Sequence, residues 1–179
     1  MKKESRKAAI TIDGCFTTEL DYSAMLPRLI YGNVGAMLPH ELEADPYRIP
    51  GFERSRKGIK KLFNAMLFGE NLEQWRSYPK ETAEYFHPEE RRTVQAVMEA
   101  IRTVHHPVKE HFGTGIGHAL QNLESEILVA VLMRMKSKNL PGLPVHDAVI
   151  VKREDKSEVR DIMLSVFRSK TGIEGRVPF

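Results

Sequence analysis

A chain of 179 residues that is 41% hydrophobic and 28% charged has the makeup of one folded domain, or a small domain with a helical insertion, and excludes wholesale disorder. Its formal charge of +3, from 27 basic and 24 acidic residues, permits a polyanionic partner without demanding one. The single cysteine, Cys15, excludes an internal disulfide and any multi-cysteine zinc site, and it fits a reducing, cytoplasmic setting.

Residues 1–7 are a charged tail. The apolar stretch behind it is broken by Asp13, too early for a signal peptide, and the longest uncharged apolar run, Ile127 to Met133, is too short to span a bilayer. Residues 8–22 mix β-branched and aromatic residues around Asp13-Gly14, which predicts a hairpin whose second strand runs toward Asp21. A helix is expected from about Ser23 to Tyr31, with Pro27 in its first turn. Gly32, Gly35, Pro39, Pro46, Pro50 and Gly51 make residues 32–52 a connecting loop.

Ile59, Leu62, Phe63 and Met66 form the apolar stripe of a helix over 53–73, and a polar connection follows over 74–87. Pro88-Glu89-Glu90 is expected to open a second helix, buried through Val94, Val97, Met98, Ile101 and Val104 and ended by Pro107. After Gly113, Gly115 and Gly117 comes a long helix to about Lys138, with Leu120, Leu123, Ile127, Ala130 and Val131 at helical spacing. Residues 142–152 read as a tight hairpin with His146-Asp147 at or near the turn. Val159, Ile162, Met163 and Val166 mark a last helix over 155–169. Hairpin, helices, hairpin, helix is the order of an α+β protein with an antiparallel sheet.

Three clusters can carry chemistry. Asp21-Tyr22-Ser23, followed by Arg28, lies where a strand gives way to a helix, and taken alone it reads first as a helix N-cap. His146-Asp147 leads directly into the apolar run Ala148-Val149-Ile150-Val151, and it is either turn chemistry or a carboxylate at a sheet edge. Arg56, Lys60, Asn64 and Phe68 recur every four residues along one helix. A solvated charged face is the ordinary reading of such a stripe. Two cations, an amide and an aromatic in line also suit a triphosphate with a base at one end. Together the clusters are more specific. Two aspartates on neighbouring strands can share two divalent cations, and cations on a helix can neutralise the remaining triphosphate charge.

In this combination the sequence resembles the palm and fingers of the family A DNA polymerases, the bacterial DNA polymerase I class. DYSAMLPR is similar to that family's motif A, through Asp21, Tyr22, Ser23 and Arg28. RKGIKKLFNAMLFG resembles motif B on the fingers helix, with Arg56, Lys60, Phe68 and Gly69 in register. VHDAVIV resembles the motif C hairpin, and Gln121 matches a family glutamine near the primer terminus. The motifs stand in the family's order across about residues 12 to 170. The resemblance implies an antiparallel palm-like sheet built from two hairpins and packed by helices, with a helical fingers-like insertion. It divides the chain into a palm-like part over 8–52, fingers over 53–113 and a second palm-like part over 114–179.

The same resemblance implies template-directed nucleotidyl transfer with two Mg²⁺ ions, Mn²⁺ being an alternative. Asp21, Asp147 and the backbone carbonyl of Tyr22 would hold the metals. Arg56 and Lys60 would hold the incoming triphosphate, Asn64 would lie along the same stripe, and Phe68 would stack near the new base pair. Gln121, His146 and Arg28 would contact nucleic acid. Leu26 stands where the DNA polymerases keep a glutamate that excludes the ribose 2′-hydroxyl, which leaves sugar choice open. Asn64 replaces an aromatic residue, Phe68 a tyrosine and Ala148 a glutamate.

No stretch ahead of motif A can form a thumb or a proofreading exonuclease. The expectation is therefore a truncated or split polymerase of phage or mobile-element type, with a second polypeptide supplying the thumb. The rivals are a non-catalytic nucleotide- or nucleic-acid-binding remnant and a structural, partner-binding remnant. His105-His106 and His111 lie near a helix end, where a cation favours the dipole, Trp75 and Tyr78 are expected in local packing, and of Glu124 and Glu126 one can add a carboxylate near the site while the other faces solvent.

Overall fold

In the computed structural model, which describes residues 10–178, Asp13 and Gly14 both take positive φ, +50° and +76°. That is the backbone of a two-residue type I′ turn, whose twist matches the flanking strands. It joins β1 (Thr11–Ile12) to β2 (Cys15–Asp21), with Ile12 opposite Cys15. The tail expected over residues 1–7 lies outside the described residues. A second hairpin joins β3 (Gly142–Val145) to β4 (Ala148–Lys152) through His146-Asp147, with Val145 opposite Ala148. The two hairpins form one antiparallel sheet in the order β1-β2-β4-β3. β4 is one of the two inner strands, and its run Ala148-Val149-Ile150-Val151 is buried on both faces. Pro144 sits in the edge strand β3, where a missing N–H costs no ladder bond.

The chain divides into two compact units: Met1–Met25 with Asn122–Phe179, and Leu26–Gln121. The first holds the whole sheet. Its last helix, α5 (Lys156–Thr171), packs on β2 and β4 and buries Val159, Ile162, Met163, Val166 and Phe167. The second unit is helical, built on α1 (Met25–Asn33), α2 (Arg56–Phe68) and α3 (Val94–Val104). Its core includes Leu29, Tyr31, Ile59, Leu62, Phe63, Met66, Val97 and Ile101, all at or near zero exposure. The unit boundary falls inside α4 (Gly117–Ser137), which buries Leu120, Ile127, Val131 and Met135 and leaves Leu123 and Ala130 half-buried.

Two helix boundaries differ from expectation for physical reasons. α2 is shorter than 53–73. The Gly69 N–H closes on the Ala65 carbonyl at 2.8 Å and the chain leaves extended, with the Trp75 ring lying where a Gly69 side chain would be. α3 does not open at Pro88. It begins at Val94, capped by Thr93, whose hydroxyl accepts from the Ala96 N–H at 3.3 Å. Glu89 and Glu90 serve a different helix. Glu90 accepts from the Arg54 N–H at 3.0 Å and from the Ser55 hydroxyl, and Glu89 pairs with the Arg54 guanidinium at 2.7 Å. Their charge therefore lies at the positive end of the α2 dipole. Among the described residues no helix is long and apolar enough to cross a membrane.

Candidate active site

Asp21 is the last residue of β2 and stands opposite Ala148, the first residue of β4. It belongs to the strand ladder, and the next helix starts four residues later at Met25. Asp147 immediately precedes Ala148 in the β3-β4 turn, so the two aspartates are one residue from direct register at one end of the sheet. Directly opposed antiparallel residues have Cα atoms about 4.5–5.5 Å apart, which makes Asp21 and Asp147 near neighbours. Both side chains are half-buried.

His146, exposed, carries φ of +54° at the first position of that turn, a conformation usually supplied by glycine. A non-glycine residue held there stores about 1 kcal/mol of backbone strain, a feature that concentrates at functional sites. Ala24, between Asp21 and α1, is left-handed as well, with φ of +52°.

Tyr22 anchors this end of β2. It is buried, its ring lies 5.4 Å from that of Phe167, and its hydroxyl donates to the Met163 carbonyl at 2.7 Å. Burial holds its phenol well above the ordinary tyrosine range. The Ser23 N–H donates to the Arg176 carbonyl at 2.7 Å, tying the turn to the C-terminal segment. Glu124, on α4, is half-buried and feels the charges of Asp147 and His146. Burial pushes its carboxyl above the usual range, the charge of Asp147 pushes it the same way, and His146 opposes both.

In the helical unit α2 presents Arg56 and Lys60 exposed, and Asn64 and Phe68 half-buried, four residues apart. Tyr47 runs beneath three of them. Its ring centroid lies 5.5 Å from the Arg56 guanidinium and 5.8 Å from the Lys60 ammonium, and its hydroxyl donates to Asn64 Oδ1 at 3.5 Å. Asp45 takes the Arg56 guanidinium in a two-point fork, from Nε to Oδ2 and from Nη2 to Oδ1, the latter at 2.9 Å. That bond holds the guanidinium's pKa above its ordinary value. Phe68 packs over Gly117, where a Cβ would come within 2.6 Å of its ring, and meets His118 edge-on at 5.4 Å. On the neighbouring face of α2, Lys57 and Lys61 lie 5.6 and 4.1 Å from the Tyr85 ring centroid.

Leu26 is half-buried in the first turn of α1, and Gln121 is exposed on α4. Arg28 points inward: it is 5% exposed and donates to the Glu43 carbonyl. His105 is fully buried, with Nε2 against the Pro46 carbonyl at 2.9 Å and Nδ1 against the Tyr31 hydroxyl at 3.2 Å.

Asp21 and Asp147 supply hard oxygen donors of the kind Mg²⁺ and Mn²⁺ take. Among the described residues no group of three or more His, Cys, Asp or Glu is placed to hold an ion. Two carboxylates still fit Mg²⁺, which keeps most of its shell for water and substrate phosphate. Asp45 and Tyr47, which contact the stripe, carry no signal for it in the sequence. They lie in the segment read as connecting loop, and no periodicity there marks them; Asp45-Pro46 is an ordinary turn signal.

The sequence matches no known family profile and no curated protein. Among solved structures the fold is similar to the POL domain of Pol1 from M. smegmatis, solved in complex with DNA primer-template and dNTP. The TM-score is 0.59 at 13% sequence identity, over 97% of this chain and 40% of that one. The chain therefore has a polymerase-like fold, a helix-packed four-stranded antiparallel sheet, and spans about two-fifths of the length of the polymerase domain it matches.

Proposed function

We propose that this chain carries out template-directed nucleotidyl transfer on a primer-template, as a DNA polymerase-like domain that uses two Mg²⁺ ions. The observation that carries the reading is the β2-β4 pairing, which brings Asp21 within one residue of Asp147 at one end of the sheet in a polymerase-like fold. Asp21, Asp147 and the Tyr22 backbone carbonyl hold the cations, and Mn²⁺ substitutes. When bound, the ions neutralise charge on the reacting phosphates and orient them.

The chain's own residues do the rest. Arg56 and Lys60 bind the triphosphate, as a fork and a point charge. Asn64 and Phe68 continue that stripe toward the base, and Leu26 sets the bulk met by the sugar. Gln121 and His146, both exposed, contact the primer side. Residues 8–52 and 114–179 act as palm and 53–113 as fingers.

Primer extension on DNA and RNA templates, with Mg²⁺ and then Mn²⁺, tests the reading. Incorporation is expected, and Asp21→Asn and Asp147→Asn each abolish it while circular dichroism stays unchanged. Full activity in both variants overturns the site.

A second reading, a non-catalytic nucleic-acid-binding module, draws on the basic residues Arg54, Arg56, Lys57, Lys60 and Lys61 at the start of and along α2. It predicts no incorporation and a salt-dependent affinity carried by the cationic cluster over residues 54–61. Binding that is equal at low and high salt counts against it.

A further inference from the structure

The α2 stripe already holds an anion of its own. Asp45 forks onto Arg56 through both carboxylate oxygens, and that is also how a guanidinium grips a phosphate. The carboxylate is not a loose surface partner. Its Oδ1 also accepts from the Tyr47 N–H at 3.2 Å, and its side chain is only 26% exposed against 53% for Arg56.

The next residue, Pro46, is pinned through its carbonyl to buried His105 at 2.9 Å. Tyr47 in turn lies under Arg56, Lys60 and Asn64. The three-residue segment 45–47 is thus fixed from behind by His105, the residue that follows α3, and presents one carboxylate to one end of the cationic stripe. Lys60, one turn further on, lies over the Tyr47 ring and remains exposed.

We propose that Asp45 is the affinity-setting residue of this site: it occupies Arg56 in the free protein, and the polyphosphate of an incoming nucleotide must displace it. The inference rests on the reading of Arg56 and Lys60 as the triphosphate ligands. Lys60 is the first point of attachment, and the exchange of carboxylate for phosphate on Arg56 is the second. Because the segment is held by His105, the displaced carboxylate stays close and continues to repel the bound polyphosphate. Removing its charge relieves both effects.

Titration calorimetry of the full chain with inorganic tripolyphosphate tests this, using wild type, Asp45→Asn, Arg56→Ala and the double variant. Exposed ion pairs are worth up to about 1 kcal/mol, so Asp45→Asn is expected to bind roughly fivefold tighter than wild type. Arg56→Ala is expected to bind more weakly. In the Arg56→Ala background Asp45→Asn is expected to change affinity by less than about twofold, because its partner is gone.

Asp45→Ser serves as a second neutral variant, and thermal melts establish that each protein is folded. If Arg56→Ala weakens binding but both neutral variants leave it unchanged or weaken it, Asp45 orients Arg56 instead of competing for it and the inference is overturned alone. If folded wild type and folded Asp45→Asn both fail to bind tripolyphosphate, the reading of the stripe as a phosphate site falls with it.

Discussion

His105 ties the helical unit together, and its burial makes a prediction about acid stability. The ring has no exposed surface. It meets Phe63 at 4.9 Å and Tyr31 at 5.9 Å between centroids, both edge-on. The Pro46 carbonyl can only accept, so Nε2 carries the proton and Nδ1 accepts from the Tyr31 hydroxyl. The neutral imidazole satisfies both partners, whereas the imidazolium would be a charge in an apolar setting. Burial accordingly pushes its pKa from 6.5 down to about 4, while the Pro46 bond pulls the other way. Burial and the nearby Glu41 charge push the Tyr31 phenol up to about 12, so it stays protonated throughout.

The folded pKa lies below the unfolded one, so the folded state binds fewer protons in the window between them. Stability is therefore complete above pH 6.5 and is lost as pH falls toward 4. The shift corresponds to about 3 kcal/mol in total, of which about 2 kcal/mol is lost by pH 5. His105→Gln keeps an amide donor and acceptor but does not titrate. Urea unfolding followed by the fluorescence of Trp75, the chain's one tryptophan, measures both proteins at pH 7, 6 and 5. The remaining six histidines are common to both and cancel in the difference. Wild type is expected to lose about 2 kcal/mol more than His105→Gln between pH 7 and 5. Parallel losses would refute the buried-neutral assignment.

Three further outcomes are expected. His146→Gly relieves the left-handed strain in the β3-β4 turn and raises stability by about 1 kcal/mol in chemical denaturation, while primer extension falls because the exposed imidazole is gone. Gly58→Ala places a Cβ within 2.6 Å of the Phe86 ring, so overpacking outweighs alanine's better helix propensity and lowers stability by about 1–3 kcal/mol; a raised melting temperature would contradict this. Tyr22→Phe removes the buried donor to the Met163 carbonyl and lowers stability by about 1 kcal/mol, and an unchanged unfolding midpoint would show that the bond contributes nothing net.

Much of this protein is decided locally and is legible in the chain. Asp13-Gly14 makes a type I′ turn wherever two strands flank it, because the residues themselves allow positive φ. The apolar run Ala148-Val149-Ile150-Val151 announces the second strand of a hairpin, and it forms one of the two inner strands. Helical spacing places Arg56, Lys60, Asn64 and Phe68 on one stripe whatever surrounds them. These features follow from backbone geometry and a fixed period.

What the tertiary structure alone decided are meetings between residues far apart in sequence. Asp21 lies beside Asp147 because β2 chose β4 as its partner in one register, and no local pattern names that partner. Glu89 and Glu90 read as the start of their own helix yet serve the N-terminus of α2. Gly58 looks like a defect in a helix until Phe86 is seen to need its space. Asp45 and Tyr47 reach α2 through a loop whose path is set by His105, a residue 59 positions beyond Pro46. Periodicity records which face of an element is apolar. It carries no record of what that face, or a loop between elements, will touch, because that choice is made by packing across the whole chain.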